Sequence, residues 1–116
     1  DLYAFCGRRI ADTLNQLAEE AQTDVLINCA SVEYFGAVDR DALKLRVITP
    51  TFLEDRAGEA KIVSFWAKKA RGAMARFITE NQLTDPEAIK AFDAGGYRFS
   101  ADLSQGDRWV FLRDSP

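Results

Sequence analysis

Hydrophobic residues near the start of the chain recur at the spacing of an α-helix. They lie three or four positions apart, with charged and amide residues between them: Ile10, Leu14, Leu17, Ala18 and Ala21. This pattern predicts an amphipathic helix that ends near Gln22. The short β-branched run 25–27 then predicts a buried strand. A helix followed by a buried strand indicates mixed α and β structure.

The hydrophobic period changes to alternation between residues 43 and 53. This stretch predicts a strand that continues past Pro50, followed by a polar turn over residues 54–59 and a returning strand over residues 61–65. Proline cannot donate a backbone hydrogen bond, so Pro50 indicates a strand edge or a bulge. Together these features predict an antiparallel hairpin.

From Trp66 the period becomes helical again. At about 100° per residue, one face collects the apolar side chains of Trp66, Ala70, Ala73, Met74 and Phe77. The helix is predicted to stop near Asn81. A capping box of Thr84 with Glu87 then predicts a second helix, with Pro86 in its first turn. Two helices joined by residues 81–85 are similar to a helix-hairpin-helix module, which presents backbone N–H groups to DNA phosphates.

The end of the chain predicts two further strands, over residues 97–99 and 109–112, around a turn at 104–107. A chain of 116 residues with 47% hydrophobic content can bury one core. We therefore expect a single domain over residues 1–116. The predicted fold class is α+β, with a mixed or antiparallel sheet packed with helices and a helix-hairpin-helix-like element.

The charge of residues 61–82 differs from that of the whole chain. The formal net charge of the protein is −3, yet this stretch carries five cations with no carboxylate before Glu80. Unpaired cations repel one another, a cost that a phosphate backbone relieves. A solvated polar face is the alternative. The candidate DNA-binding residues are Lys68, Lys69, Arg71, Arg76 and Asn81.

A second group of polar residues follows the predicted strand 25–27. Ligands often bind beyond strand ends in α/β sheets, which makes a candidate pocket of Asn28, Ser31, Glu33 and Tyr34. If Lys68 or Lys69 lay beside it, the pocket would suit an enzyme of unknown reaction. The alternative is a capped turn whose side chains are satisfied locally. The balance favours a role other than catalysis.

Several classes of function are disfavoured by composition. The chain has no histidine and two cysteines far apart in sequence, Cys6 and Cys29, which we expect to be buried thiols. We predict no metal site and no cofactor, and direct iron storage is disfavoured. No apolar stretch approaches the roughly 18–20 residues of a membrane span, and no leader opens the sequence, so we expect a protein that is soluble and not exported.

Four segments resemble the YaaA family of bacterial peroxide-stress proteins. They are LYAFCGRRIADTLN at 2–15, NCASVEYF at 28–35, IVSFWAKKARGAMARFITEN at 62–81 and GYRF at 96–99. The resemblance covers essentially the whole chain but only about the C-terminal half of the family. Cys6 stands where the family commonly has an aromatic residue.

The resemblance implies a cytoplasmic protein of the hydrogen-peroxide response that limits free intracellular iron and oxidative DNA damage. It also implies binding of duplex DNA without sequence preference, through a positively charged cleft and a helix-hairpin-helix element. Lys68, Lys69, Arg71 and Arg76 match the basic helix of the family, and residues 81–92 match its hairpin and second helix. The N-terminal half of the same protein is the second expected partner.

Overall fold

The computed structural model describes residues 2–115, with side chains from Cys6 onward. The chain divides into two compact units, with the boundary between Val47 and Ile48, and each unit is described by itself. Within the described part of the chain, no helix is both long and apolar enough to cross a bilayer.

The first unit contains the predicted amphipathic helix and the short strand. Its elements are α1 (Leu2–Glu20), β1 (Val25–Ile27), α2 (Val32–Phe35) and a 3₁₀ turn (Arg40–Ala42). Helix α1 ends at Glu20. Gln22, just after it, has a φ of 56°, and the Thr23 N–H donates to the Ala18 carbonyl at 3.0 Å. The left-handed conformation of Gln22 and the hydrogen bond from Thr23 back to Ala18 form a Schellman motif at the C-terminus of α1. Cys6 and Cys29 form no disulfide. Cys6 is exposed and Cys29 is half-buried, so the expected burial of both thiols is wrong.

Two residues of α1 attach the helix to the loop that follows α2. The Gly7 carbonyl accepts the Asp39 N–H at 3.1 Å. About two helical turns further along α1, Asn15 Nδ2 donates to the Ala42 carbonyl at 2.8 Å, and Asn15 Oδ1 accepts the Lys44 N–H at 2.8 Å. The polar side of α1 is therefore partly an internal contact surface, not the plain solvent face that its residue types indicate.

The second unit is built on a mixed sheet. Its elements are β2 (Arg46–Arg56), whose first two residues belong to the first unit, β3 (Glu59–Lys61), α3 (Ser64–Glu80), two 3₁₀ segments (Pro86–Ala91 and Ala94–Gly96), β4 (Arg98–Gln105) and β5 (Arg108–Asp114). Strand β5 runs parallel to β2 and antiparallel to β4, and β3 pairs antiparallel with the end of β2. The predicted α+β class with helices on a mixed sheet is confirmed.

The β2–β3 hairpin is shorter than its sequence pattern predicts. Strand β3 ends at Lys61 and α3 begins at Ser64, so the expected strand over 61–65 is mostly loop and helix. The turn is formed by Ala57 and Gly58, with φ values of 55° and 83°. Two successive positive φ angles match the right-handed twist of a tight hairpin.

An aromatic cluster forms the core of this unit. The Phe52 ring lies 5.3 Å from the Phe111 ring and 5.7 Å from the Phe92 ring, and Phe77 of α3 packs edge-on against Phe92 at 5.6 Å. Met74 is fully buried on the same side of α3. Burial of these rings fixes α3 over the sheet, because large aromatic side chains contribute most of the apolar area in such a core.

The helix-hairpin-helix element is not confirmed. A six-residue 3₁₀ segment (Pro86–Ala91) takes the place of the predicted second helix. Its N-cap is Asp85, whose side chain accepts the Glu87 N–H at 3.0 Å, so the predicted capping by Thr84 is wrong. Asp85 lies directly before proline, where an extended backbone suits an N-cap, and it therefore takes this role in place of Thr84.

Candidate anion-binding cleft

A cleft of about 240 Å³ opens between α3 and the segment that leads into β4. We call it the α3 cleft. Its lining contains three cations and no carboxylate: Trp66, Lys69, Ala70, Ala73, Arg76, Ala94, Gly95, Tyr97 and Arg113. A concave surface with one sign of charge concentrates counter-ions, so the cleft suits an anion.

Lys69 and Arg76 are the predicted site residues that the structure brings together. They lie two helical turns apart on the same flank of α3, which is why both line the cleft. The Lys69 ammonium also lies over two exposed rings, at 5.2 Å from the Phe65 centroid and 5.3 Å from the Trp66 centroid. These cation–π contacts orient the ammonium without neutralising it.

Lys68 and Arg71 do not line the α3 cleft. Lys68 is exposed and Arg71 is half-buried on other sides of the helix. None of the four cations of α3 forms a salt bridge with any side chain that the structure describes. Among the described side chains, the cations of α3 therefore have no acidic partner, either along the helix or from elements packed nearby.

Asn81 has a local structural role. Its Nδ2 donates to the Phe77 carbonyl at 2.9 Å, and its backbone N–H donates to the same carbonyl. Both bonds satisfy a terminal carbonyl of α3 that has no partner within the helix. The Asn81 side chain therefore caps the C-terminus of α3.

Arg113 is a residue of the cleft that the sequence pattern does not indicate. Its guanidinium lies 4.8 Å from the Trp66 ring centroid and 5.4 Å from that of Tyr97. Its Nε and Nη2 donate to Glu54 Oε1 at 2.9 and 2.7 Å. Glu54 lies in the segment predicted as a polar turn, and only the parallel pairing of β2 with β5 brings these two residues side by side.

The electrostatics beneath the cleft follow from this ion pair. Hydrogen bonds from Arg56 and then Arg113 hold the pKa of Glu54 below its ordinary value, against the opposing effect of burial. Burial raises the pKa of Tyr97, and the charge of Arg113 partly offsets it. At neutral pH a charged Glu54, shared by two arginines, is therefore buried behind Arg113, and the cleft lining contains a neutral Tyr97.

A second groove, of about 250 Å³, adjoins the cleft along α3. Arg76, Ala73 and Ala94 line both, but the groove also contains Glu80 and Asp93. Arg76 therefore lies between the α3 cleft, whose charged lining residues are all cations, and a groove that two carboxylates line. An anion is favoured on the Lys69 side, where no carboxylate lines the wall.

The candidate pocket of the first unit is mostly a capped turn. Ser31 Oγ accepts the Tyr34 N–H at 3.2 Å, and Asn28 Oδ1 accepts the Ala30 N–H at 3.0 Å. Asn28 and Tyr34 line an apolar depression of about 280 Å³, whereas Ser31 and Glu33 do not line it. The four polar side chains do not converge on one cavity. Their placement beside Lys68 or Lys69 stays a prediction.

Comparison with known proteins agrees with the motifs. The family model described as "Peroxide stress protein YaaA" matches residues 1–103. UPF0246 proteins of Cereibacter sphaeroides and Ruegeria pomeroyi are 68% and 63% identical over 112 residues, covering 97% of this chain and 44% of their own length. One from Roseobacter denitrificans is 55% identical over 118 residues, covering all of this chain and 46% of its own length. The chain thus spans less than half the length of these relatives. It belongs to the peroxide stress protein YaaA family.

Proposed function

We propose that this chain is the C-terminal part of a cytoplasmic DNA-binding protein of the hydrogen-peroxide response. In this proposal Lys69 and Arg76 contact phosphates of duplex DNA without reading base sequence. Binding of DNA limits oxidative damage, and the protein also lowers free intracellular iron. The N-terminal half of the same protein supplies the rest of the binding surface. The observation that carries the proposal is the cationic α3 cleft, which no described carboxylate lines.

The energetics of α3 support a phosphate ligand. Helices on protein surfaces commonly pair Glu with Lys four residues apart. On α3 the first acid in the sequence is Glu80, and the cations before it have no salt bridge among the described side chains. Each phosphate that a cation neutralises releases condensed counter-ions, which makes association favourable at low salt.

The spacing of the two cleft cations fits one DNA strand. Lys69 and Arg76 are seven residues apart, which is about 10.5 Å along the helix axis at 1.5 Å per residue. A single strand presents a phosphate about every 3.4 Å along the duplex axis. With α3 along the duplex axis, the two side chains are therefore about three phosphate spacings apart. Asn81 stays a predicted contact and carries none of this proposal, because its Nδ2 is bonded to the Phe77 carbonyl.

The test is duplex binding by the full-length protein over a range of salt concentrations, with several unrelated sequences. Lys69→Glu and Arg76→Glu should each weaken binding at least tenfold, equally for every sequence. Each should also reduce the log–log salt slope by about 0.9, the value for one phosphate contact. Lys44→Glu, the same charge change at an exposed lysine outside α3, is the matched control. Unchanged binding by both α3 variants would show that the proposal is wrong.

The effect on iron needs a separate experiment. A strain that lacks the protein is complemented with the wild type or with Lys69→Glu, and free intracellular iron is measured after peroxide exposure. If iron is limited through DNA binding, the variant should fail to restore the low iron level. Full restoration by a variant that no longer binds DNA would separate the two activities and remove the iron part of the proposal.

A further inference from the structure

The α3 cleft has the size and the walls of a site for one planar ring. Its volume of about 240 Å³ falls below the roughly 300–1,000 Å³ of common small-molecule pockets. The helix side of the cleft is formed by Ala70 and Ala73, two small residues that leave this space open. Across from them, Gly95 has φ 68°, a backbone conformation that glycine adopts without strain.

The groups inside the cleft can recognise the edge and face of a nucleobase. The rings of Trp66 and Tyr97 flank the Arg113 guanidinium. Two of its nitrogens are bound to Glu54, whereas Nη1 reaches the Gly95 carbonyl only at 3.5 Å. A bond at that limit is weak, so Nη1 can donate to a better-placed acceptor such as a base carbonyl.

The same cleft provides phosphate contacts next to the ring site. Lys69 lies beside Trp66, and Arg76 lies beyond Ala73 along the helix. Glu80 and Asp93 line the adjoining groove and not the cleft. A ligand with one ring and one phosphate therefore has matching groups at both of its ends.

We infer that the α3 cleft binds a single nucleotide, with the base against Trp66 and Ala73, beside Lys69, and the phosphate on Arg76. The source is either a free mononucleotide or an unpaired nucleotide within DNA. The second form rests on the proposed function, since it places the cleft within the DNA-binding surface. The base contacts the part of Trp66 that is exposed, 37% of the residue. Aromatic contact of this kind is tolerant of base identity, so no base preference is expected.

The DNA arm compares two duplexes with the full-length protein, one fully paired and one with a single unpaired nucleotide. The wild type should bind the second about tenfold more tightly, within the range that base stacking provides. Ala73→Leu, which fills the cleft without changing its charge, should abolish this preference. Ala75→Leu, on the exposed side of the same helix, is the control that should keep the preference.

The mononucleotide arm needs no cavity-filling variant. Deoxyadenosine monophosphate should quench the fluorescence of Trp66, whereas deoxyadenosine and inorganic phosphate should do so only at much higher concentrations. Trp66→Phe keeps an aromatic ring and should remove the fluorescence response.

The outcomes separate the inference from the proposed function. Equal affinity for both duplexes, together with no quenching by the mononucleotide, overturns the inference even if salt-dependent duplex binding remains. Quenching without any binding of DNA supports a free mononucleotide as the ligand and overturns the proposed function.

Discussion

Glu54 and Arg113 lie side by side on the parallel strands β2 and β5, and two N–H groups of Arg113 converge on Glu54 Oε1. The other carboxylate oxygen, Oε2, accepts the Arg56 Nε–H at 2.6 Å. Glu54 is almost fully buried, with 1% of its surface exposed. The pair therefore both joins the two strands and holds Arg113 against the rings of the α3 cleft.

Acid stability should depend on Glu54. The pKa of this carboxyl is lowered from 4.5 on folding, first by Arg56 and then by Arg113. Its contribution to the free energy of unfolding is therefore complete above about pH 4.5 and is lost as the pH falls through the lowered pKa. Glu54→Gln should reduce stability at pH 7 and make it less dependent on pH below 4.5. Urea unfolding of the full-length protein at several pH values measures both effects.

The control for that experiment is Glu59→Gln. Glu59 is exposed and lies 3.6 Å from Lys61, so its ion pair is screened by solvent. Its removal should leave the acid-side pH dependence as in the wild type. If the Glu54 and Glu59 variants gave identical pH profiles, the ion pair with Arg113 would not govern acid stability.

Gly7 should not tolerate a methyl group. A Cβ placed there would lie 2.4 Å from the Ala37 carbonyl oxygen, a backbone atom that cannot move alone. Gly7→Ala should therefore separate α1 from the loop at Asp39 and destabilise the protein by about 1–3 kcal/mol. Denaturant unfolding measures this cost. A value near zero would mean that the helix and loop do not approach this closely.

Gly72 should respond in the opposite direction. It lies in the exposed interior of α3, and an added Cβ would meet only Arg76 Nη1, at an ordinary 3.7 Å. Gly72→Ala should stabilise the protein by about 0.5–1 kcal/mol, because glycine is a poor helix former. Duplex affinity is measured alongside. If a DNA backbone approaches α3 at this point, the same variant should bind duplex more weakly despite its higher stability.

The β2–β3 turn should be improved by one substitution. Ala57 has φ 55°, a left-handed conformation that alanine adopts at a cost. Asn-Gly is the preferred pair for two positive φ angles in a hairpin, so Ala57→Asn should raise stability by about 0.5 kcal/mol. Ala60→Asn, in the neighbouring strand, should show no such gain. Thermal unfolding of both variants distinguishes the turn effect from a general effect of asparagine.

The accuracy of the sequence predictions differs with the range of the interaction. Helices α1 and α3 are predicted closely, because their periodic apolar residues repeat over several turns and each turn adds to the signal. The second helix of the predicted helix-hairpin-helix depends on a few local residues, and the chain there forms a 3₁₀ segment (Pro86–Ala91) capped by Asp85. Short segments next to a proline have too few backbone bonds for their own pattern to decide the outcome.

Within the candidate site, too, residues placed by a local pattern are predictable and residues placed by long-range pairing are not. Lys69 and Arg76 are predictable, since positions seven apart on a helix lie on the same flank. Arg113 is not, because its relation to Glu54 spans 59 positions and depends on a parallel strand register. Asn15 is similar: its residue type indicates a solvated face, but the loop at Ala42 and Lys44 folds onto it.

The sequence by itself determined helices α1 and α3, the cationic face of α3, the α+β class and the family to which the chain belongs. These properties reside in local periodicity, in composition and in motifs that can be recognised without a fold. Only the tertiary structure decided which cations share a cleft, that Arg113 joins them, and that Glu54 is a buried partner instead of a turn residue. Strand register and side-chain packing are long-range relations, and a linear pattern does not encode distances between residues far apart in the chain.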